Sequence, residues 1–257
     1  MARWHKAAVL LGTVLAVGAG GVAASADEWH TPRTSFQAAA VAVPSAAAPT
    51  DVAQARHVDR ASGHHTVRVT AAANAALDCD GCAGRAVSLQ VVYAGRAHAV
   101  LTRNAAVVWA DHCQGCTGQA VALQVVLTRS ADAVRADNRA FAASTECSGC
   151  TVSAVALQFV VVDKRADRLD RRTLTAIEQL AASLTTDTTA PAGSTPSPRT
   201  VAGAQRAATA GAAGAAGQDS VAPGPAGAAR STGAEIAGLL RGDLDAPVTM
   251  SVRASGG

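Results

Sequence analysis

The chain reads as a mainly β protein, built from three tandem 34-residue β-hairpin repeats followed by one amphipathic helix. Three observations point there. Cys-x-Gly-Cys recurs every 34 residues, as Cys79/Cys82, Cys113/Cys116 and Cys147/Cys150, and uses every cysteine in the chain. Each pair is followed at the same offset by a near-identical apolar run: AVSLQVV from Ala86, AVALQVV from Ala120 and AVALQFV from Ala154. Inside those runs large and small residues alternate with period 2, the pattern of a strand with two different faces.

The elements follow in chain order. Residues 1–26 read as an export signal. Arg3, His5 and Lys6 precede an apolar core from Ala7 to Val17, and Ala24-Ser25-Ala26 forms an A-x-A cleavage site before Asp27. The alternative is an uncleaved membrane anchor, but Ala7–Ala24 is only 18 residues long and interrupted by glycines. No later apolar run is long enough to span a bilayer, so none is expected after cleavage. Removing Arg3 and Lys6 from the 22 basic residues leaves 20 against 19 acidic ones. A near-neutral mature chain carries no footprint for nucleic acid. The partner class left open is a component of the envelope or another protein.

Residues 27–65 are rich in Ala, Pro, Ser and Thr without sustained periodicity, which predicts a flexible linker. Residues 66–184 hold the Val, Leu, Phe and Trp needed for a core and form the one expected domain. In the middle copy Val121, Leu123, Val125 and Leu127 face one way; Ala120, Ala122, Gln124 and Val126 face the other. Ahead of the cysteines, Ala106 and Val108 are expected on the larger apolar face, with Trp109 opposite. Glycine at the third position of each Cys-x-Gly-Cys (Gly81, Gly115, Gly149) suits a tight turn with φ > 0. Asp80-Gly81 is itself a hairpin signal. Asp163–Leu184 is helical in pattern: Leu169, Leu174, Ile177, Leu180 and Leu184 share a face, and Asp167 sits four residues before Arg171. Residues 185–257 contain no aromatic and are dominated by Ala, Gly, Pro, Ser and Thr. They predict a disordered tail, with at most a short helix at Ala234–Leu240, whose removal should cost almost nothing.

Cysteines bracketing a tight turn have Cα atoms within about 7 Å, near disulfide range. An exported chain with an even cysteine count meets an oxidising compartment. Three local bridges are therefore expected: Cys79–Cys82, Cys113–Cys116 and Cys147–Cys150. Bridges between repeats stay open as an alternative. They would close loops of 34 residues, worth roughly 4 kcal/mol in the chain-entropy model against roughly 2 for a local loop. Zinc competes for the same thiols, but three pairs leave one over unless His112 joins, and Asp78 and Glu146 stand at its position in the other copies. Redox catalysis is the third use. A reactive CxxC sits at a helix N-terminus, whereas each pair here leads into a strand. Gln90, Gln124 and Gln158 recur inside the apolar runs. They could line a ligand groove; the stronger expectation is that they bond backbone or stack between repeats as an amide ladder.

At these residues the chain resembles a tandem segment of actinobacterial secreted and membrane proteins, in which a CxxC precedes an A-V-A-[FL]-Q-V-V-like run and follows an Asn-x-Ala stretch. Asn104-Ala105-Ala106 and Asn138-Arg139-Ala140 match that lead-in; Thr70-Ala71-Ala72 departs from it. Some of those proteins are labelled peptide zinc metalloproteases, but no H-E-x-x-H occurs here: neither His64 nor His65 is followed by glutamate in that register. The resemblance implies an extracytoplasmic accessory repeat. No G-x-S-x-G, P-loop or Rossmann fingerprint occurs either. The expectation is a non-enzymatic secreted or cell-envelope module, stapled by disulfides and without a cofactor. The alternative is an extracytoplasmic thiol-disulfide or zinc-binding protein using the CxxC pairs.

Overall fold

The computed structural model describes residues 33–164, 168–186 and 224–256. The expected signal at 1–26, the start of the linker and the stretch 187–223 lie outside the described residues. Seven strands and two helices follow in order: β1 (Arg33–Ala42), β2 (Thr50–Arg60), β3 (Thr66–Leu77), β4 (Ala83–Asp111), β5 (Thr117–Thr145), β6 (Thr151–Val162), α1 (Arg171–Thr186), α2 (Pro225–Leu244) and β7 (Val248–Gly256).

The 34-residue spacing is the circumference of a coil. Thr50 pairs with Ala83, Ala83 with Thr117 and Thr117 with Thr151, every pairing parallel. The same holds one half-coil on, where Arg33, Thr66, Ala99 and Ala133 stand in one column. The chain therefore winds through about four turns of a β-solenoid. Each coil has a first segment after the cysteine turn, a corner, and a second segment leading to the next cysteine turn. The corner in β4 is marked by a register shift at Gly95, whose φ of 60° favours glycine and where an added Cβ would come within 3.2 Å of the Ala61 carbonyl oxygen.

This corrects the hairpins. The segments flanking a cysteine turn, such as β3 and the start of β4, do not pair with each other; each pairs with its equivalent one coil away. A repeated apolar string reads identically for stacked hairpins and stacked coils. What separates them is that parallel stacking brings identical side chains into register, Leu89 beside Leu123 beside Leu157.

Alternation assigns the faces. Leu89, Val121, Leu123, Val155 and Leu157 are buried and Val87 half-buried, all on the outer side of the first segments. That surface is covered by Leu169 just ahead of α1, by α1 through Ile177 and Leu184, and by α2 through Ala229, Ile236 and Leu240. The Leu169 N–H donates to the Tyr93 hydroxyl at 3.1 Å, tying the lead-in of α1 to the coil, and the Asp170 N–H to the Asp243 carboxylate at 2.8 Å, tying it to α2. α1 starts at Arg171, later than the pattern suggested, and Asp167 lies outside the described residues.

The inward side of the coil falls into three bands. Nearest the cysteines is an alanine band: Ala86, Ala120, Ala122, Ala154 and Ala156 meet Ala73, Ala75, Leu77, Ala106, Val108 and Ala110. Ala106 and Val108 thus belong with the small-residue face, not with the leucines, because the chain turns back over itself at the cysteines. Small side chains let the two segments lie close. A Cβ added at Gly118 would come within 2.5 Å of Val108 and 2.7 Å of Leu77. At the Gly95 end a valine band forms from Val67, Val69, Val92, Val100 and Val126. Between them lies a band of amides. Trp109 points outward as expected and stacks on Phe141, ring centroids 6.1 Å apart.

Two segments expected to be unstructured carry elements. β1 and β2 lie within 27–65 and form the first coil; their exposed outer residues weaken the periodic signal, since an end coil has no neighbour on one side. In the tail, α2 buries Ile236 and Leu240 completely, and β7 pairs antiparallel with β6 from Val248 to Gly256. The tail thus contributes to the core, contrary to the expectation that nothing there does. Its alanines and glycines bury little area each, but its few large residues are spaced to meet the leucine face.

Candidate functional site: a column of cysteines between amide ladders

The cysteine turns stack into a column along one edge of the coil. Gly81, Gly115 and Gly149 have φ of 66°, 64° and 66°, the left-handed conformation the turn demands. The Gly81 N–H donates to the Gln114 carbonyl at 2.7 Å and the Gly115 N–H to the Ser148 carbonyl at 2.9 Å, so each turn is bonded to the next. The Asp80 carboxylate accepts from the Gln114 N–H at 2.8 Å. Immediately ahead of the cysteines, His112 and Glu146 also have positive φ, 51° and 53°.

The Cys79–Cys82 and Cys113–Cys116 pairs stand at disulfide distance, with Cα separations of 5.5 and 6.4 Å. Cys147 and Cys150, on the third turn, are both half-buried. The column also brings sulfurs of different repeats together. Cys113 Sγ lies 3.4 Å from Cys147 Sγ and 3.6 Å from Cys150 Sγ. The Cys116 N–H donates to Cys150 Sγ at 3.3 Å. Burial pushes the Cys150 thiol up; the Cys116 N–H acts in the opposite sense, and Cys147 adds to the rise.

Among the described residues, Cys113, Cys116 and Cys150 are the group that could hold a metal ion, their sulfurs lying within 4.8 Å of one another. Tetrahedral zinc with Zn–S of about 2.3 Å needs sulfurs about 3.8 Å apart. The Cys113–Cys150 spacing is close to that, but Cys113 and Cys116 stand at disulfide distance, so a bridge between them would leave these ligands to reduced protein. His112 does not turn to the sulfurs. Its Nδ1 lies 2.9 Å from Asp111 and its Nε2 2.6 Å from Glu146. The Asp111 hydrogen bond, followed by the charges of Asp111 and Glu146, raises its pKa above the ordinary 6.5. An open cavity of about 400 Å³ runs along the outside of these turns, bordered by Asp80, His112, Glu146 and Cys147.

No family model matches the chain, and no curated protein or solved structure matches it.

The three glutamines form the amide ladder. Gln124 Nε2 donates to Gln90 Oε1 at 3.2 Å, and Gln158 Nε2 to Gln124 Oε1 at 2.9 Å. Two of them also reach across the coil: Gln124 to the Arg103 carbonyl at 3.1 Å, and Gln158 to the Thr102 hydroxyl at 2.9 Å. All three side chains are buried. A second ladder faces the first. Asn104 Nδ2 donates to Asn138 Oδ1 at 2.9 Å and to the Ala122 and Leu157 carbonyls at 3.0 and 2.9 Å. Asn138 continues to the Ala156 carbonyl at 3.0 Å and to Ser251 on β7 at 2.8 Å. The 34-residue recurrence of Asn104 and Asn138 was the signal for this second ladder. In the preceding coil the matching position is Ala71, and the ladder ends there.

Proposed function

We propose that the chain is a non-enzymatic, extracytoplasmic repeat module, exported by its N-terminal segment and stapled along its turn column. The supporting observation is the column itself: six cysteines converge on one edge of a rod whose interior is filled by alanine, valine and paired amides. Local bridges there hold each turn in the conformation its glycine allows, a use of sulfur that suits an oxidising compartment. The absence of H-E-x-x-H, G-x-S-x-G and P-loop strings from the sequence supports a structural role. Among the described residues no helix is long and apolar enough to cross a membrane.

The reading is tested on material exported by a host cell. N-terminal sequencing is expected to begin at Asp27, and intact mass to show cysteines protected from alkylation until reduced. A membrane-bound form retaining Met1, or six thiols that alkylate without reduction, would overturn it.

A further inference from the structure

We propose that the outer side of the second segments docks a second copy of this chain, reversed so that the basic end of each face meets the acidic end of the other. The two outer sides of the coil are finished differently. The first segments lie beneath α1 and α2, whereas among the described residues no element covers the second segments. Trp109, Phe141 and Val41 stay 42%, 48% and 54% exposed there. Parallel stacking gathers them. Val41, Asn74, Val107 and Phe141 form one row across the strands, and the Trp109 ring stacks on Phe141 from the next row. A contiguous apolar patch of this kind marks an interaction surface.

Charge selects the occupant. At one end of the face Arg68 and Arg135 stand in register on either side of Leu101, with Arg103 and Arg139 further along the same strands. Arg103 and Arg139 share Asp137, at 3.8 and 2.8 Å, so this end keeps a surplus of positive charge. Asp78, Asp111 and Glu146 close the other end of those strands. His112, held between Asp111 and Glu146, offsets only part of their charge. A face that runs basic, apolar, acidic along its strands complements its own copy once reversed.

The register fixes the reversal. Ala73, Ala106 and Ala140 stand in one line across the sheet. A twofold axis laid along that line exchanges residues equally far to either side. Arg68 then meets the second copy's Asp78, Arg103 its Trp109 and Arg139 its Phe141. The first contact is an ion pair; the other two set a guanidinium against an aromatic ring. Each occurs twice, as an isologous contact demands. A twofold axis along the strands would instead lay arginine on arginine. From Leu101 to Asp111 the face is about 33 Å long, and its strands with their side-chain borders are about 20 Å across. It therefore buries about 650 Å² on each copy and about 1,300 Å² in all, within the range of specific interfaces.

The test is the solution mass of the full exported chain, measured by sedimentation velocity over a wide range of concentration. Twice the chain mass is expected at the upper end. Trp109→Ala should raise the dimer dissociation constant at least about tenfold. Arg68→Glu should do the same, because it sets acid against acid at both ends of the contact, by at least about tenfold again. Arg68→Glu/Asp78→Arg in one chain should restore the dimer, since each new charge meets its opposite across the axis. Both positions are exposed, so these variants should keep the wild-type circular dichroism. A single-chain mass throughout, a dimer indifferent to either single variant, or a double variant no tighter than Arg68→Glu would each overturn the proposal. Growth beyond two chains would overturn it too, by placing the contact on the strand edges at the ends of the coil. A monomer with intact bridges would sink this inference alone and leave the stapled-module reading standing.

Discussion

Replacing one rung of the glutamine ladder should cost more than its share of replacing all three. In Gln124→Leu a side chain of similar size fills the same space, so little cavity is left. What is lost is polar: the bonds from Gln124 to Gln90 and to the Arg103 carbonyl, and the one received from Gln158. Each is worth about 1 kcal/mol net, and a buried acceptor left bare costs about 1–3 kcal/mol. Gln90 Oε1 is stranded by the change, while Gln158 Nε2 keeps Thr102. The sum is about 4–6 kcal/mol, a large part of the 5–15 kcal/mol that holds a typical domain. In the triple variant Gln90→Leu/Gln124→Leu/Gln158→Leu the ladder partners disappear together and no amide strands another. Its loss should fall below the sum of the three single losses by at least about 1 kcal/mol, the sign of direct coupling. Urea unfolding of oxidised protein reads both, as midpoint shifts at constant slope. Strict additivity would refute the claim that the amides bond to one another inside the coil.

Other consequences can be checked alongside. Leu123→Ala should cost about 2–5 kcal/mol in the same assay, because Leu123 is fully buried between Leu89 and Leu157 beneath the helices. Truncation after Thr186 should lower the thermal midpoint sharply and raise dye binding to exposed apolar surface, since it strips α2 and β7 from Leu157 and Phe159. An unchanged midpoint would mean that α2 and β7 do not pack there. His112 should titrate above 6.5 by NMR, and Glu146→Gln should bring it down. With the folded pKa raised, its charged contacts to Asp111 and Glu146 are present at low pH and lost as pH rises through the folded pKa.

Much of the fold was legible in local pattern. The period-2 alternation of Val121 to Leu127 gave the two faces of β5, and the recurring glycines gave the turn conformation, because both are properties of a few adjacent residues. Pairing partners were not legible. A strand does not encode whether its neighbour is the next segment or the equivalent one a coil later, so hairpins and solenoid coils share one signature. The same blindness left open whether cysteines of neighbouring repeats meet, since the approach of Cys113 to Cys147 arises only once turns stack. The glutamine stack could be anticipated because a buried amide must be satisfied, and an identical amide one repeat away is the nearest donor. α2 and β7 escaped notice for an energetic reason. Their Ala- and Gly-rich sequence has little drive to fold alone, and acquires it from a leucine face that belongs to the coils.

Because successive coils meet through matching positions, the rod has no unique length. Deleting Ala83–Cys116 would join Cys82 directly to Thr117 and set β2 and β3 against β5, where β4 now lies. The third cysteine turn would meet the first, a partner of the kind it already has, Val121 and Gln124 would take the places of Val87 and Gln90 opposite Gln54 and His57, and the helices would still find Leu123 and Leu157. A whole-coil duplication would do the reverse. Gain or loss of one 34-residue unit is then a gentler change to this protein than gain or loss of a single residue, which would throw every column beyond it out of line.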